Sequence, residues 1–261
     1  MIHRQRLIGK CLSVVIPVYN ERDTWRRLLA RVQAVDIWPL GRQLIFVDDC
    51  STDGTREQLA ELAAASRPGC KVLFHPVNRG KGAAVRTGIA EADGDFLIIQ
   101  DADLEYDPGD YPRLLEPLLA GEADVVYGSR FSSYRRDGSL AYYFANRLLT
   151  ELSNAMTGLR LTDIETCYKV FRRQVFQFLR IEEDRFGLEP EITAKLAALG
   201  ARITERPISY LARTRGQGKK IRLCDGLRAM WCIFKYGRRT GRPAKLPRED
   251  CSPIFPSSSA L

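Results

Sequence analysis

Histidine and paired cysteines are what this sequence has least of. Among 261 residues it contains only two histidines, His3 and His75, which nearly excludes catalytic triads and metal sites built on imidazole. Its seven cysteines include no Cys-x-x-Cys pair. An odd, scattered set of cysteines is typical of free thiols in a reducing compartment, and it argues against both disulfides and a zinc site.

Long apolar runs are also absent. No segment reaches about eighteen consecutive apolar residues, so the sequence predicts no membrane-spanning helix. Met1–Lys10 carries basic residues without an apolar stretch or a cleavage site, so we expect no signal peptide.

Positive charge, in contrast, is in excess. The net charge of +8 and the pI near 9.2 indicate an anionic partner such as nucleic acid, a phosphorylated substrate or an acidic membrane.

Strand-like and helix-like patterns alternate along most of the chain. Such alternation is typical of an α/β protein with a mostly parallel twisted sheet and helices on both faces. The predicted strands are Leu12–Val18, Gln43–Val47, Lys71–Phe74, Phe96–Gln100, Asp124–Tyr127, Cys167–Phe171 and Arg202–Ser209. The predicted helices are Glu21–Val32, Thr55–Ala65, Gly82–Ala92, Tyr111–Leu119, Tyr142–Thr157 and Leu188–Leu199.

Alternate acidic residues follow the apolar strand Phe96–Gln100. The motif reads Asp101-Ala102-Asp103-Leu104-Glu105. In an open α/β sheet the carboxyl ends of the strands form the edge where ligands bind, and paired carboxylates suit Mg²⁺ or Mn²⁺. Asp-x-Asp alone also occurs in solvated loops, but the buried strand before it favours a metal site.

Two further turns follow predicted strands and carry polar groups. Asp48 can accept hydrogen bonds from a nucleoside, although Asp49–Thr55 can also be only a turn that caps the next helix. The turn Asn78–Gly82 combines glycines with Lys81 and suits a diphosphate, with a plain glycine-rich turn as the alternative. No Gly-x-Gly-x-x-Gly follows the first strand, which argues against a dinucleotide-binding Rossmann fold.

Five segments occur in a fixed order: Val15–Glu21, Val47–Thr55, Asn78–Gly82, Asp101–Asp103 and Gly128–Phe131. Their combination resembles the family 2 inverting glycosyltransferases with a GT-A fold. Further segments resemble, within that family, the polyprenyl-phosphate hexose synthases such as the dolichyl-phosphate mannose and glucose synthases. These segments are Thr162-Asp163, Thr166–Lys169, Phe186–Ile192, Glu205–Ile208 and Arg213–Lys220.

The resemblance implies a metal-dependent hexosyltransferase. It would move a hexose, with mannose favoured, from GDP-mannose or a UDP-sugar to a polyprenyl phosphate, with inversion. The residues expected to hold the nucleotide are Pro17, Tyr19, Glu21, Asp48, Lys81, Arg213, Lys219 and Lys220. Asp101, Asp103 and Glu105 would bind Mg²⁺ or Mn²⁺, and Arg130 would meet the acceptor phosphate.

The nature of the acceptor decides whether a general base is needed. A phosphate monoester is already anionic and needs none. A hydroxyl acceptor on a glycan or lipid would need one, and Asp163 or Glu165 is then the candidate, with helix capping or loop polarity as the alternative for both. Two residue pairs differ from the mannose synthases: Tyr142-Tyr143 stands in place of their Ser-Arg pair, and Ser132-Ser133 in place of their Gly-Gly pair. These departures leave the identity of the acceptor undetermined. Arg135 and Arg136 are candidates to supply the missing positive charge.

A helical stripe follows the basic segment Lys219–Arg222. It consists of Leu223, Leu227, Met230, Trp231 and Phe234, with Arg228, Lys235, Arg238 and Arg239 around it. One interpretation is an amphipathic helix at the surface of an anionic membrane, which would place the protein in the cytoplasm, peripherally on the cytoplasmic face of a membrane. The other is a terminal helix that packs its stripe on the core. A membrane-protein partner is a further candidate.

We expect four segments along the chain: an extension (1–10), a catalytic domain (11–212), a basic loop with an amphipathic helix (213–240) and a disordered tail rich in proline and serine (241–261). A non-catalytic module that binds nucleic acid is another class to consider. No nucleic-acid-binding motif supports it, and the acidic strand ends would repel a polyanion, so nucleic acid is not expected as a partner.

Overall fold

The computed structural model describes residues 7–131, 140–213, 223–237 and residue 246. Several predictions therefore concern residues outside this part of the chain. They are the roles of Lys219 and Lys220, the basic residues Arg135, Arg136, Arg238 and Arg239, and the disordered tail.

Seven strands within the described residues form one sheet. They are β1 (Cys11–Val18), β2 (Gly41–Asp48), β3 (Cys70–Phe74), β4 (Phe96–Ile99), β5 (Val125–Ser129), β6 (Lys169–Arg172) and β7 (Ile203–Pro207). Their order across the sheet is β3-β2-β1-β4-β6-β5-β7. The neighbours β1–β2, β1–β4, β2–β3 and β5–β7 are parallel, whereas β6 runs antiparallel to β4 and β5. The prediction of a mostly parallel sheet is confirmed.

The helices alternate with these strands. Their bounds are α1 (Trp25–Ala34), α2 (Thr55–Ala64), α3 (Lys81–Ala90), α4 (Tyr111–Leu119), α5 (Leu140–Thr157), α6 (Arg173–Phe176), α7 (Leu188–Ala198) and α8 (Leu223–Gly237). The core lies between the sheet and the apolar faces of these helices. Close approach is visible at Gly88 of α3, where a Cβ atom would collide with the side chain of Val15 in β1.

The first helix starts later than the sequence predicts. The prediction placed its start at Glu21, but α1 begins at Trp25. The carbonyl of Glu21 accepts hydrogen bonds from the amides of Thr24 and Trp25, and its carboxylate accepts one from the Thr24 hydroxyl. Glu21 therefore belongs to a turn between β1 and α1, where its side chain stays at the strand end.

The direction in which successive strands are added to the sheet reverses at β1. From β1 the chain builds outward through β2 to β3 on one side, and then β4 is added on the other. Such a reversal leaves a crevice at the carboxyl ends of the two central strands, and ligands of open α/β sheets bind there. The predicted carboxylates after β4 lie at this crevice.

Helix α8 does not bury the stripe that the core-packing interpretation requires. Its buried residues are Ala229, Cys232, Ile233 and Tyr236, whereas Leu227, Trp231 and Phe234 are exposed. The helix is therefore apolar on two faces, and among the described residues only one of these faces is packed against the rest of the protein. In the described part of the chain, none of the helices combines the length and apolarity needed to cross a membrane.

Candidate active site

The carboxyl ends of β1, β2 and β4 lie side by side. In the sheet register Val18 pairs with Asp48, and the amide of Gln100 donates to the carbonyl of Val15 at 2.9 Å. The motif Asp101–Glu105 therefore emerges beside the end of β1. This edge gathers most of the residues that the sequence assigns to the donor.

Lys81, at the first position of α3, pairs with Asp101. Its Nζ atom lies 2.8 Å from Asp101 Oδ1 and 3.4 Å from Glu189 Oε1. Glu189 in turn lies 2.5 Å from the Nζ atom of Lys169, which is fully buried. Burial by itself would lower the pKa of Lys81, but the nearby carboxylates, Asp101 first, raise it well above its ordinary value. Lys81 is therefore a fixed positive charge at the crevice.

Asp103 has an excess of negative charge around it. Burial, followed by the neighbouring charges of Asp101 and Glu105, raises the pKa of Asp103 to about 7. A cation at this position would relieve that repulsion, so the pair Asp101 and Asp103 fits a divalent metal ion on chemical grounds.

Glu105 is held differently from the other two carboxylates. It accepts hydrogen bonds from the Tyr210 hydroxyl at 2.8 Å and from the Arg213 amide at 2.7 Å. Among the described residues, no three acidic, histidine or cysteine side chains form a metal-binding group. Glu105 is thus held by two donors at the same edge, and its role as a third metal ligand beside Asp101 and Asp103 stays a prediction.

The turn Asn78–Gly82 is anchored to the end of β2. Asp49 accepts hydrogen bonds from the amides of Arg79 and Gly80, at 2.9 and 2.7 Å, and contacts His75 Nδ1 at 2.8 Å. The alternative interpretation made Asp49–Thr55 a turn that caps the next helix, and within it Asp53 does accept from the Thr55 amide, whereas Asp49 binds the Asn78–Gly82 turn. The sequence analysis missed this role of Asp49 and His75, because the contacting residues are 26 to 31 positions apart.

The predicted nucleoside contacts already have partners inside the protein. Asp48 is fully buried and lies 2.7 Å from Arg56 Nη1. The Glu21 carboxylate accepts two hydrogen bonds from the Arg213 guanidinium, at 3.2 and 2.8 Å. Pro17 and Tyr19 are half-buried beside them. The structure brings these predicted residues together at one edge, and their contact with a nucleoside stays a prediction.

Arg130 and Asp163 meet each other. Asp163 accepts hydrogen bonds from the Nε and Nη2 atoms of Arg130, both at 2.7 Å, and from the Arg130 amide at 3.1 Å. Burial would lower the pKa of Arg130, but Asp163 raises it well above its ordinary value. Asp163 therefore orients a permanently charged guanidinium, and this geometry supports an anchoring role more directly than a role as general base.

Glu165 is the second base candidate and has a different environment. Burial, followed by the charge of Glu189, raises the pKa of Glu165 to about 7. Its Oε1 atom is buried without a hydrogen-bond partner among the described residues. A carboxyl group in this state can take up or release a proton near neutral pH.

Comparison with known proteins identifies the family. A protein-family profile described as glycosyl transferase family 2 matches residues 13–180, more than half of the chain. The chain belongs to this family. The match runs from within β1 to beyond β6 and therefore includes the Asp101–Glu105 motif, the Asn78–Gly82 turn and the Arg130–Asp163 pair of this family 2 glycosyltransferase.

Two curated relatives are similar over most of this chain. An undecaprenyl-phosphate mannosyltransferase from Micrococcus luteus is 33% identical over 216 residues, which cover 78% of this chain and 85% of the relative. An undecaprenyl-phosphate 4-deoxy-4-formamido-L-arabinose transferase from Edwardsiella ictaluri is 33% identical over 213 residues, which cover 80% of this chain. The match spans only 62% of that second relative's length.

A solved structure supports the fold. The glucosyl-3-phosphoglycerate synthase of Mycobacterium tuberculosis, in complex with Mn²⁺, uridine diphosphate and phosphoglyceric acid, is 23% identical with a TM-score of 0.68. The match covers 92% of this chain and 82% of the synthase. The predicted GT-A fold is confirmed by this likeness together with the seven-stranded sheet.

Proposed function

We propose that this protein transfers a sugar from a nucleoside diphosphate sugar to a polyprenyl phosphate, with inversion and with a divalent cation. The proposal rests on a group of charged side chains at the crevice beside β1: the ion pair of Lys81 with Asp101, and Asp103 next to it. The two curated relatives described above are named for transfer to undecaprenyl phosphate. The donor sugar and its base are left open by these observations, and GDP-mannose and UDP-sugars are the candidates.

The charges at the crevice suit the departure of a nucleoside diphosphate. A bound Mg²⁺ or Mn²⁺ would stabilise the negative charge that develops on the leaving diphosphate. Lys81 adds a second positive charge beside Asp101, and the hydrogen bonds that Asp49 accepts from the Arg79 and Gly80 amides fix the turn that carries it. Preorganised charges of this kind cost no rearrangement when the bond breaks.

The acceptor side needs orientation more than proton transfer. A phosphate monoester brings its own negative charge, so no general base is required. Asp163 holds the guanidinium of Arg130 in one orientation, and we propose that this guanidinium attracts the acceptor phosphate. Guanidinium groups match the geometry of phosphate oxygens.

The test is a transfer assay with purified protein, undecaprenyl phosphate and a panel that includes GDP-mannose, UDP-glucose and UDP-N-acetylglucosamine. We expect a glycolipid product with one donor, formed with Mn²⁺ or Mg²⁺ and abolished by EDTA. Absence of lipid product with every donor, in protein that still binds a nucleoside diphosphate, would remove the polyprenyl phosphate from the proposal.

The environment of Glu165 supports a second candidate function, transfer to a hydroxyl group. Its raised pKa and its unpartnered oxygen suit a general base. If the acceptor is a hydroxyl, kcat/KM should rise through pH about 7, and Glu165→Gln should abolish that rise. Transfer to a polyprenyl phosphate should keep most of its rate in the same variant.

Peripheral membrane association is the proposed location. The acceptor would lie in a membrane, and Leu227, Trp231 and Phe234 of α8 are exposed, as are Phe144 and Leu148 of α5. Helices α5 and α8 contact each other. Exposed apolar side chains on adjacent helices, together with the net charge of +8, suit the surface of an anionic membrane.

A further inference from the structure

Residues 181–187, here named the bracing segment, lie directly against the glycine turn that carries Lys81. A Cβ atom on Gly80 would collide with the carbonyl oxygen of Asp184, and one on Gly82 with that of Glu183. The carbonyl of Asp184 also accepts a hydrogen bond from the Ala83 amide at 3.1 Å. Any shift of the bracing segment would therefore move the turn.

Helix α3 is attached to the same segment through Arg86. Its Nη1 atom donates to the Ile181 carbonyl at 3.3 Å, and its Nη2 atom lies 2.5 Å from Asp184 Oδ1. Ile181 at the start of the segment and Asp184 in its middle thus both contact Arg86, five residues after Lys81. The turn and the bracing segment form one unit.

The bracing segment is held on its other side by α8. The Glu183 side chain is 4% exposed, and its carboxylate accepts hydrogen bonds from Arg228, Lys235 and Tyr236. Burial would raise the pKa of Glu183, but hydrogen bonds from Arg228, Tyr236 and Lys235 lower it below its ordinary value. The carboxylate is therefore charged at neutral pH, and three groups of one helix fix its place.

We propose that Glu183 is a positioning residue for the donor diphosphate. Fixed by α8, it holds the bracing segment against Gly80 and Gly82 and so keeps Lys81 beside Asp101. The inference rests on the proposed function, because it takes the Lys81 turn as the place where the diphosphate binds. It also means that α8, whose outer face carries Leu227, Trp231 and Phe234, contributes to donor affinity through its inner face.

The variant Glu183→Gln keeps the shape of the side chain and removes its charge. We expect the dissociation constant for UDP or GDP with Mn²⁺, measured by calorimetry, to rise about tenfold, as for residues that orient a ligand-binding group from behind. The KM for the donor should rise in parallel, while kcat at saturating donor and the KM for the acceptor change less than about twofold. Arg228→Lys, a milder change on the other side of the pair, should give a smaller shift in the same direction.

A matched control is Asp124→Asn, which also breaks a pair of a mostly buried carboxylate with an arginine. Asp124 lies 2.8 Å from Arg202 and precedes β5, at the amino edge of the sheet and away from the crevice. It should lower the melting temperature and leave nucleotide affinity unchanged. If Glu183→Gln lowers the melting temperature as the control does but binds UDP and GDP like the wild type, Glu183 is only structural and the inference is wrong. If the wild type itself binds neither nucleotide with Mn²⁺, the proposed function fails instead.

Discussion

Two ion pairs at the carboxyl edge of the same sheet differ in how much water reaches them. The side chains of Arg130 and Asp163 are 5% and 0% exposed, and each is bound to the other through two hydrogen bonds. The side chains of Lys81 and Asp101 are 19% and 20% exposed, and Lys81 divides its charge between Asp101 and Glu189.

The two pairs contain similar types of charged group but differ in the free energy needed to separate them. Breaking a buried pair leaves an uncompensated charge and is costly, so Arg130 keeps its orientation whatever binds. A partly solvated pair separates at a lower cost, which suits the proposed roles of Asp101 towards a metal ion and of Lys81 towards a diphosphate. We therefore expect the half that follows β4 to rearrange on binding and the half that follows β5 to keep its geometry.

The strongest test of this comparison removes the basic side chain from each ion pair. Arg130→Ala leaves the buried Asp163 charge unpaired and should lower the free energy of unfolding by about 3–5 kcal/mol. Lys81→Met leaves Asp101 in contact with water and Glu189 paired with Lys169, so it should cost about 1 kcal/mol. Urea denaturation of both variants measures the two values. Equal losses would show that the two pairs are equivalent.

A milder change tests what the fixed half does. Arg130→Lys keeps a positive charge for Asp163 but loses the two-pronged geometry of the guanidinium. We expect a higher KM for the polyprenyl phosphate and unchanged metal-dependent hydrolysis of the donor. Equal loss of both activities would move Arg130 to the donor diphosphate.

The second largest effect concerns the half that can rearrange. Asp103→Ala should lower the transfer rate about a hundredfold or more, because it removes a carboxylate from the proposed metal site. It should also raise the melting temperature of the metal-free protein, since burial and the charges of Asp101 and Glu105 disfavour the ionised form. The control is Asp107→Ala, which removes an exposed carboxylate that accepts a local hydrogen bond from the Gly109 amide. Turnover near that of the wild type would exclude Asp103 as a metal ligand.

The pH dependence of the free energy of unfolding adds a third buried charge to the comparison, that of Glu165, whose pKa is affected by both Arg130 and Asp163. Its pKa of about 7 lies above the ordinary value of 4.5, so the folded protein binds this proton more tightly than the unfolded chain. The free energy of unfolding should therefore fall as the pH rises from about 4.5 to 7, by about 3 kcal/mol for this group. Glu165→Gln should remove that part of the slope. An identical slope in the variant would show that Glu165 ionises normally.

The smallest expected effect lies on α8, whose inner face binds Glu183 and whose outer face carries the exposed side chains Leu227, Trp231 and Phe234. We expect the protein to sediment with anionic liposomes at low salt and to be released at high salt, because salt screens the attraction. Trp231→Ala should weaken binding by about 1 kcal/mol. Trp38→Ala, which removes an exposed tryptophan of the loop after α1, is the control. Equal weakening by both variants, or no binding at low salt, would argue against α8 as the membrane-facing element.

The ends of the strands and the order of polar motifs could be predicted because they are local. A short apolar run places a buried strand, and the residues that follow it must appear at its carboxyl end. Asp101 and Asp103 after β4, Asp48 at the end of β2 and Lys81 at the start of α3 follow this rule. The sequence by itself therefore determined the α/β class, the mostly parallel sheet and the edge at which the candidate site lies.

Only the tertiary structure decided which charged groups meet and which face of a helix is covered. Arg130 and Asp163 are 33 positions apart, and Glu183 and Arg228 are 45 apart. No local period encodes such pairs, because they depend on how the chain returns to the sheet. Helix α8 carries apolar residues on two faces, so its pattern cannot say which face packs on the core. Packing against α5 and α7 chose the face with Cys232 and Tyr236 and left Trp231 outside.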